Sequence, residues 1–243
     1  MPEKAKAARL IAHRGYPLRY PENTLPGLQT SIEAGAKYLE FDIQLTRDRI
    51  PVLYHDASMR RTSGIDRLIM DQSAEELEFI DAGEPDRFGR QFKSTRIPSL
   101  ALVVEMLSNY PAVQAFVEIK WESLAYFGVA TVVDAVMACI RDYPRQFIVI
   151  SFDYDCLQYA RRSGSNPIGW AIETTDNNTL KMLASLRPEY LFTSVAKYSA
   201  LRKALPGSWQ WALYHATGPE QENAMLAAGA DLVETDAIVE MLG

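Results

Sequence analysis

Short apolar runs and longer helical stretches alternate along the whole chain. The apolar runs are nearly continuous, as is typical of parallel strands that helices cover on the outside. The predicted strands are residues 9–13, 38–42, 114–119, 147–152, 168–172, 190–193, 210–214 and 231–235. The predicted helices are residues 24–36, 99–109, 124–141, 154–162, 179–186, 198–205 and 219–228. Eight such strands in 243 residues favour a (β/α)8 barrel of the TIM type, in the α/β class, and a doubly wound open sheet is the alternative.

Two segments interrupt this regular pattern. Residues 43–54 alternate apolar and polar positions around a polar turn, which predicts a β-hairpin after the second strand. Residues 57–98 are polar and are interrupted by glycine and proline. An irregular segment of this length in a compact domain usually forms a lid or a binding insertion. We therefore expect residues 1–243 to form one domain that carries a small insertion at 57–98.

Composition narrows the class of function and the compartment. A net charge of −6 argues against general binding to nucleic acid, and the sequence has no run of about 18 apolar residues that would predict a transmembrane segment. The charged start of the chain lacks the apolar core of a signal peptide, and Cys139 and Cys156 do not form a close-spaced pair. We expect a cytoplasmic protein with a small-molecule substrate, and a homo-oligomer is compatible with the sequence.

Two histidines stand where the barrel is expected to carry its chemistry. His13 and Arg14 directly follow the first strand, and the carboxyl ends of barrel strands form the mouth in which active sites lie. His55 ends the second arm of the hairpin. If the hairpin turns between residues 48 and 49, residues whose numbers sum to 97 face each other, and His55 lies opposite Asp42 at the same mouth.

Carboxylates and a lysine are predicted to share this mouth. Glu40 and Asp42 are two residues apart on one strand and point to one face, and Glu118 and Lys120 repeat the spacing on the next barrel strand. Each pair alone could be a helix cap or a surface ion pair. If both pairs were only structural, the fold would crowd several charges together at a high cost in free energy and without a functional reason.

This combination of side chains suits the cleavage of a phosphodiester. Three clustered carboxylates bind a hard cation such as Mg²⁺ or Ca²⁺ better than Zn²⁺. Arg14 offers a planar fork to phosphate oxygens, and Lys120 adds a second positive charge. Two histidines can act as general base and general acid on opposite sides of phosphorus, which an alcohol leaving group requires.

Several motifs appear in a characteristic order: His13-Arg14-Gly15, Pro21-Glu22-Asn23-Thr24, Glu40-Phe41-Asp42, Pro51-Val52-Leu53-Tyr54-His55-Asp56 and Glu118-Ile119-Lys120. With them, nearly the whole chain resembles the glycerophosphodiester phosphodiesterase family of the PLC-like phosphodiesterase superfamily. The resemblance implies a barrel capped by residues 57–98. It also implies the metal ligands Glu40, Asp42 and Glu118, the acid/base pair His13 and His55, and the phosphate contacts Arg14 and Lys120. Phe152 and Trp211 are the expected further contacts to the substrate.

The chain departs from the family pattern at a few positions. Arg49 stands in the hairpin turn where the family usually has glycine, and no proline follows Thr235-Asp236 at the expected distance. We expect such changes to affect recognition of the alcohol part of the substrate. His215 is expected to be structural or to lie at the substrate rim, and Asn23 either reaches the site or caps the helix at 24–36.

The sequence thus predicts metal-dependent hydrolysis of glycerophosphodiesters to sn-glycerol 3-phosphate and an alcohol. One alternative is a lysophospholipase D or a phosphoinositide phospholipase C-like activity, which would call for an exposed apolar rim, with residues 68–70 as the candidate. Another is an inactive module that binds phosphodiesters. The sequence leaves open which histidine is the acid and whether water or the glycerol 2-hydroxyl attacks phosphorus.

Overall fold

Eight parallel strands close into a barrel in the computed structural model, which describes residues 9–243 apart from the side chain of His215. The expectations for residues 1–8 and for the His215 side chain lie outside this part of the chain. The barrel closes because β1 pairs on one edge with β2 and on the other with β9, so the predicted TIM-type barrel is confirmed and the open sheet is excluded. The strands are β1 (Leu10–Ala12), β2 (Tyr38–Leu45), β3 (Pro51–Leu53), β4 (Gln114–Ile119), β5 (Phe147–Ser151), β6 (Ile168–Ala171), β7 (Tyr190–Ser194), β8 (Gln210–Ala216) and β9 (Leu232–Thr235), of which β3 is antiparallel and lies outside the barrel.

Helices surround the barrel and also build the insertion. The outer helices are α1 (Leu25–Glu33), α5 (Leu100–Ser108), α6 (Trp121–Phe127), α7 (Val129–Ile140), α8 (Tyr154–Ser163), α9 (Thr179–Leu186), α10 (Val195–Ala204), α11 (Pro219–Ala227) and α12 (Ile238–Leu242). The insertion contributes α2 (Arg60–Ser63), a 3₁₀ turn at Ile69–Asp71, α3 (Ala74–Leu77) and α4 (Pro85–Phe88).

The helix predicted at 124–141 is two helices in the structure. Gly128 has a φ of +83°, a backbone conformation that glycine adopts without strain, and it separates α6 from α7. Within residues 9–243 no single helix is long and apolar enough to cross a bilayer; α6 and α7 meet the length and composition criteria only together, as a pair bent by 119°.

The inside of the barrel changes from apolar to polar towards the mouth. Side chains two residues apart on a strand share a face, so each strand sends one set inwards. On β4 the buried Phe116 belongs to the apolar interior and Glu118 follows it at the mouth; on β9 Leu232 and Glu234 repeat this arrangement. The apolar interior consists of Ile11, Phe116, Ile148, Ile150, Ala171, Phe192, Ala212 and Leu232.

The hairpin forms as predicted, but its register differs by one residue. Ile43 pairs with Leu53, and the Tyr54 amide donates to the Asp42 carbonyl at 3.0 Å, so Asp42 faces Tyr54 and the expected pairing with His55 is wrong. The cause is the turn, where the Thr46 amide donates to the Ile50 carbonyl at 3.1 Å and encloses three residues instead of two. Arg49, the last of the three, has a φ of +64°, the left-handed conformation typical of such loops.

Residues 57–98 fold with β3 around a small apolar cluster of their own. Val52 and Tyr54 pack there with Met59 and other insertion residues. Ile69 and Met70 are buried in this cluster, so they do not form an exposed apolar rim. The insertion therefore has a small apolar core of its own, which it shares with β3.

Candidate active site

The turn after β1 places His13 and Arg14 at the mouth. Arg14 and Gly15 both have positive φ, +50° and +85°, so the chain reverses tightly towards α1. A Cβ on residue 15 would lie 2.8 Å from the backbone of Gly27, which makes glycine necessary there. The turn aims the Arg14 amide at Glu40, whose Oε2 it reaches at 3.1 Å.

Three of the predicted residues form a compact carboxylate cluster. Glu40, Asp42 and Glu118 each offer an oxygen, and these oxygens lie within 4.8 Å of one another. Glu40 and Asp42 share the inner face of β2, and Asp42 is aligned with Glu118 on the adjacent β4. Both residues on β2 are almost fully buried. The sequence spacing therefore located this cluster correctly.

Burial and neighbouring charges act differently on the three carboxyls. Burial raises the pKa of Glu40 well above its usual range, and the charge of Asp42 adds to this. Burial also raises the pKa of Glu118. At Asp42 burial is opposed by the charges of Arg14 and Lys120, which hold its pKa well below the usual range.

The two predicted phosphate contacts lie directly against the cluster. Arg14 Nε is 3.1 Å from Asp42 Oδ2, and its Nη1 is 3.1 Å from Glu22 Oε1. Lys120 Nζ is 2.7 Å from Glu118 Oε1 and 3.3 Å from Asp42 Oδ1. Both cations thus border the space between the carboxylates and the open mouth.

His13 is held by a carboxylate that the sequence reasoning had not singled out. Its Nδ1 lies 2.6 Å from Asp236 Oδ1, just past the end of β9, and its Nε2 is 3.9 Å from Glu40 Oε2. Burial lowers the pKa of His13, but the Asp236 hydrogen bond and the Glu40 charge outweigh it and raise the pKa to about 9. The Thr235-Asp236 motif was the signal that could have identified this partner.

His55 reaches the mouth although the hairpin register was predicted wrongly. β1 and β3 share the same edge of β2, so the chain leaving β3 returns towards the end of β1. Gln44, buried on β2, donates to the His55 carbonyl at 3.1 Å. The Nδ1 of His55 is hydrogen-bonded to the neighbouring Asp56. The position of His55 is therefore fixed by the strand edge and by two polar side chains.

An arginine of the insertion connects the surroundings of His55 and of Arg14. Arg61 of α2 donates from Nε to Asp56 Oδ2 at 2.7 Å. Its two Nη atoms bind the two oxygens of Glu22 at 2.7 and 2.8 Å, and Glu22 in turn contacts Arg14. Sequence reasoning did not find Arg61, because its position follows from packing of the insertion and not from strand spacing.

Asn23 belongs to the site. Its side-chain amide donates to Asp42 Oδ2 at 2.9 Å, and its Oδ1 accepts from the Asp42 amide at 3.1 Å. The N-cap residue of α1 is Thr24. Of the two roles predicted for Asn23, the structure therefore supports the contact with the carboxylate cluster.

A cavity of about 160 Å³ lies at the mouth, lined by polar side chains of the site and by an apolar wall. The polar side chains include His13, Arg14, His55, Glu118 and Lys120. Phe152 lies on this wall, as expected, and Tyr214 stands near it with ring centroids 6.5 Å apart. Trp211 does not reach the cavity: it is buried outside the barrel wall against Tyr198 of α10, with ring centroids 5.4 Å apart. The reason is strand alternation, which sends Ala212 and Tyr214 inwards and Trp211 outwards, so the predicted substrate contact at Trp211 does not fit.

Glu234 is a fourth buried carboxylate at the mouth. It lines the cavity from β9 and is 4% exposed. The inward alternation from Leu232 was the signal that could have located it.

The carboxylate cluster suits a hard divalent cation. Its donors are all oxygen, and Glu40 Oε1 is buried without a hydrogen-bond partner among the described residues. A buried carboxylate oxygen of this kind is costly unless something coordinates it. Glu40, Asp42 and Glu118 are therefore the residues that could hold a metal ion.

Comparisons with known proteins agree with this arrangement. The model of the glycerophosphoryl diester phosphodiesterase family matches residues 13–208. A glycerophosphodiester phosphodiesterase from Caldanaerobacter subterraneus subsp. tengcongensis is 32% identical over 155 residues. That alignment covers 63% of this chain and 61% of the relative, so it spans less than two thirds of the relative's length.

Solved structures match over nearly the whole chain. An Oleispira antarctica phosphodiesterase, in complex with the product sn-glycerol-3-phosphate, has a TM-score of 0.80 and 26% identity, and the match covers 96% of this chain and 94% of that one. A glycerophosphodiester phosphodiesterase from Thermotoga maritima has a TM-score of 0.74 and 25% identity, with 96% of both chains covered.

Proposed function

The chain belongs to the glycerophosphoryl diester phosphodiesterase family, and we propose that it hydrolyses glycerophosphodiesters to sn-glycerol 3-phosphate and an alcohol with the help of a divalent cation. One observation carries this proposal: two carboxylate-bound histidines, two cations and Glu118 of the carboxylate cluster line one cavity at the barrel mouth. Cleavage of a phosphodiester requires charge neutralisation, orientation of the substrate and proton transfer, and these side chains can provide all three.

Glu40, Asp42 and Glu118 are the proposed metal ligands, and Mg²⁺ or Ca²⁺ is the cation that such oxygen donors suit. When bound, the cation would neutralise charge on a phosphoryl oxygen and lower the pKa of a nucleophile. Asn23 holds Asp42 by two hydrogen bonds and so fixes the orientation of this ligand.

Arg14 and Lys120 are the proposed phosphate contacts. Both lie against the carboxylate cluster and line the cavity. A guanidinium can bind two phosphate oxygens at once, and the lysine adds a second charge where negative charge develops. Together they orient the diester between the two histidines.

His13 and His55 are the proposed acid/base pair. Because a carboxylate engages the Nδ1 of each ring, the Nε2 atoms are the ones that exchange protons at the cavity. One histidine takes the proton of the nucleophile, and the other gives a proton to the leaving alcohol. Direct attack by water and attack by the glycerol 2-hydroxyl lead to the same final products but differ in their intermediate, because only the second route passes through a cyclic phosphate that ³¹P NMR can detect.

The test is an assay for glycerol 3-phosphate release from several glycerophosphodiesters, with chelator and with metal added back. We expect release that stops with chelator and returns with Mg²⁺ or Ca²⁺. His13→Ala and His55→Ala should each lose about 10²- to 10⁴-fold in turnover and keep metal binding in calorimetry. Near-normal turnover in either variant would contradict the assignment, and tight stoichiometric binding without release would point to an inactive binding module.

Lysophospholipase D activity is a second candidate, because exposed apolar side chains follow several barrel strands. Trp121, Phe152 and Val195 are 63%, 45% and 51% exposed, just beyond β4, β5 and β7. Such a rim suits the acyl chain of a lysolipid. Turnover of glycerophosphocholine should be compared with that of a long-chain lysophosphatidylcholine, in the unmodified protein and in Trp121→Ser. A preference for the lysolipid that Trp121→Ser lowers would favour this second activity.

Three further expectations are part of the proposal. One catalytic domain spans residues 1–243, with the insertion at 57–98 close enough to the mouth, through Arg61, to influence it. The cysteines Cys139 and Cys156 are free thiols, which supports a reducing compartment such as the cytoplasm. The partner is a small glycerophosphodiester and not a nucleic acid, as the net charge of −6 supports.

A further inference from the structure

Glu234 is a buried carboxylate at the mouth for which the proposed reaction has no use. It lines the cavity together with His13 and the apolar wall and is 4% exposed. Burial raises the pKa of Glu234 to about 7, and the charges of Glu118 and Asp42 add to this against the attraction of His13. Such a group costs stability, so its presence calls for a functional reason.

The side chains of the other carboxylates at the mouth have hydrogen-bond or ion-pair partners within 4 Å, whereas the side chain of Glu234 has no such close partner among the described residues. Asp42 contacts Arg14, Lys120 and Asn23, and Glu118 contacts Lys120. The Glu234 side chain makes no hydrogen bond or ion pair with the described residues 9–243, among which the His215 side chain is not included. A nearly fully buried acceptor that faces a cavity is suited to a hydrogen-bond donor on a ligand.

The chemistry of the site limits what that donor can be. Glu234 lies outside the group of carboxylates whose oxygens come within 4.8 Å of one another, so it is not placed to share their cation. A phosphate oxygen carries negative charge and would be repelled by a carboxylate. A hydroxyl group is a neutral donor, and Ala171 and Phe192, which line the same cavity, can contact its carbon chain.

We propose that Glu234 is a specificity residue that accepts a hydrogen bond from the terminal hydroxyl of the glycerol part of the substrate. This inference rests on the proposed function. The terminal hydroxyl is the one further from phosphorus, which agrees with the position of Glu234 outside the carboxylate cluster. The enzyme would thereby distinguish glycerol diesters from diesters of simpler alcohols, because the simpler alcohol leaves a buried carboxylate unpaired.

The experiment compares two substrates in three forms of the protein. The substrates are glycerophosphocholine and its 1-deoxy analogue, which lacks the terminal hydroxyl but keeps the 2-hydroxyl, so that a cyclic route stays available. The unmodified enzyme should prefer glycerophosphocholine by about 10- to 100-fold in kcat/KM. Glu234→Leu should erase this preference, and Glu234→Gln should retain part of it, because the amide oxygen still accepts a hydrogen bond.

Two controls separate specificity from general damage. Glu220→Gln changes an exposed carboxyl on α11, outside the site, and should keep the full preference. Calorimetry with Mg²⁺ should show that Glu234→Leu still binds the cation, because Glu234 is not one of the three clustered carboxylates. An unchanged substrate preference in Glu234→Leu overturns the role of Glu234 alone. Failure of the unmodified enzyme to cleave any of the several glycerophosphodiesters of the first assay overturns the proposed function and this inference with it.

Discussion

Carboxylates hold both mouth histidines at the same ring atom. Asp236 binds Nδ1 of His13 and Asp56 binds Nδ1 of His55, so each ring presents the same nitrogen to the cavity. Asp56 is itself held by Arg61, whose other donors bind both oxygens of Glu22. The planar fork of one arginine thus fixes the carboxylate behind His55 and the carboxylate behind Arg14 together.

Replacing Arg61 should therefore slow the reaction although Arg61 does not line the cavity. We expect Arg61→Met to lower kcat by about tenfold, because Asp56 and Glu22 lose a shared donor and position their partners less well. Arg61→Lys should recover only part of the activity, since an ammonium cannot bind both oxygens of Glu22 in the same fork. Steady-state kinetics on glycerophosphocholine measures both variants.

Arg60 supplies the matched control for this experiment. It precedes Arg61 in α2 and is exposed, so Arg60→Met removes the same charge from the same helix. Equal losses of kcat in Arg60→Met and Arg61→Met would mean that only the general charge of the insertion matters. Full activity of Arg61→Lys would likewise rule out the bidentate contact as the cause.

Among the elements, the hairpin turn decides the register of β3. Arg49 adopts a φ of +64° in an exposed turn, where a side chain costs about 1 kcal/mol relative to glycine. Arg49→Gly should raise the free energy of unfolding by about 0.5–1 kcal/mol, since the strain removed exceeds the added freedom of the unfolded chain. Urea unfolding followed by circular dichroism measures this difference.

A second substitution separates backbone strain from charge at this turn. Arg49→Ala removes the same charge but keeps a Cβ, so its stability should stay near that of the unmodified protein. A gain of the same size in Arg49→Ala as in Arg49→Gly would attribute the effect to charge instead of backbone conformation.

The periodicity of the strands predicted most of the fold and of the site, because this periodicity can be read from neighbouring residues in the sequence. Apolar runs identified all eight barrel strands, and the spacing of Glu40 with Asp42 placed two carboxylates on one face. The predicted hairpin register was wrong because it depends on whether the turn contains two or three residues, and the polar sequence of this turn is compatible with both lengths. Arg61 could not be found, since its contacts join segments far apart in the chain.

Inward and outward alternation along β8 contradicts one of the expected substrate contacts. Trp211 was expected to contact substrate from the family pattern, but it is one residue out of phase with Ala212 and Tyr214. The same alternation from Leu232 points to Glu234. A strict period of two along each strand is thus a better guide to barrel-mouth residues than similarity of residue type.

At the scale of the whole molecule, several carboxyl groups are buried together at one end of the barrel. The chain carries a net charge of −6, and four buried or nearly buried carboxyls, Glu40, Asp42, Glu118 and Glu234, meet at one end of the barrel. Arg14 and Lys120 compensate part of this charge. Burial raises the pKa of Glu40 and of Glu118, and a carboxyl whose pKa rises on folding destabilises the folded state as the pH rises above its unfolded-state value. The stability of the protein at neutral pH should therefore depend on a bound cation.

Adding Mg²⁺ or Ca²⁺ to chelator-treated protein should raise the thermal midpoint by several degrees. At a free metal concentration of 100 times Kd, a ligand of the folded state adds about 2.7 kcal/mol, which corresponds to roughly 5–10 °C for a domain of this length. Glu118→Gln should remove most of this shift because it removes a ligand. It should also raise the midpoint of the metal-free protein, because one of the repelling carboxyls is gone. The control is the same calorimetric measurement with a monovalent salt at matched ionic strength, which shows how much of the shift comes from general screening of the carboxylate charges. A shift that salt reproduces, or one of equal size in Glu118→Gln, would show that the carboxylate cluster is not the metal site.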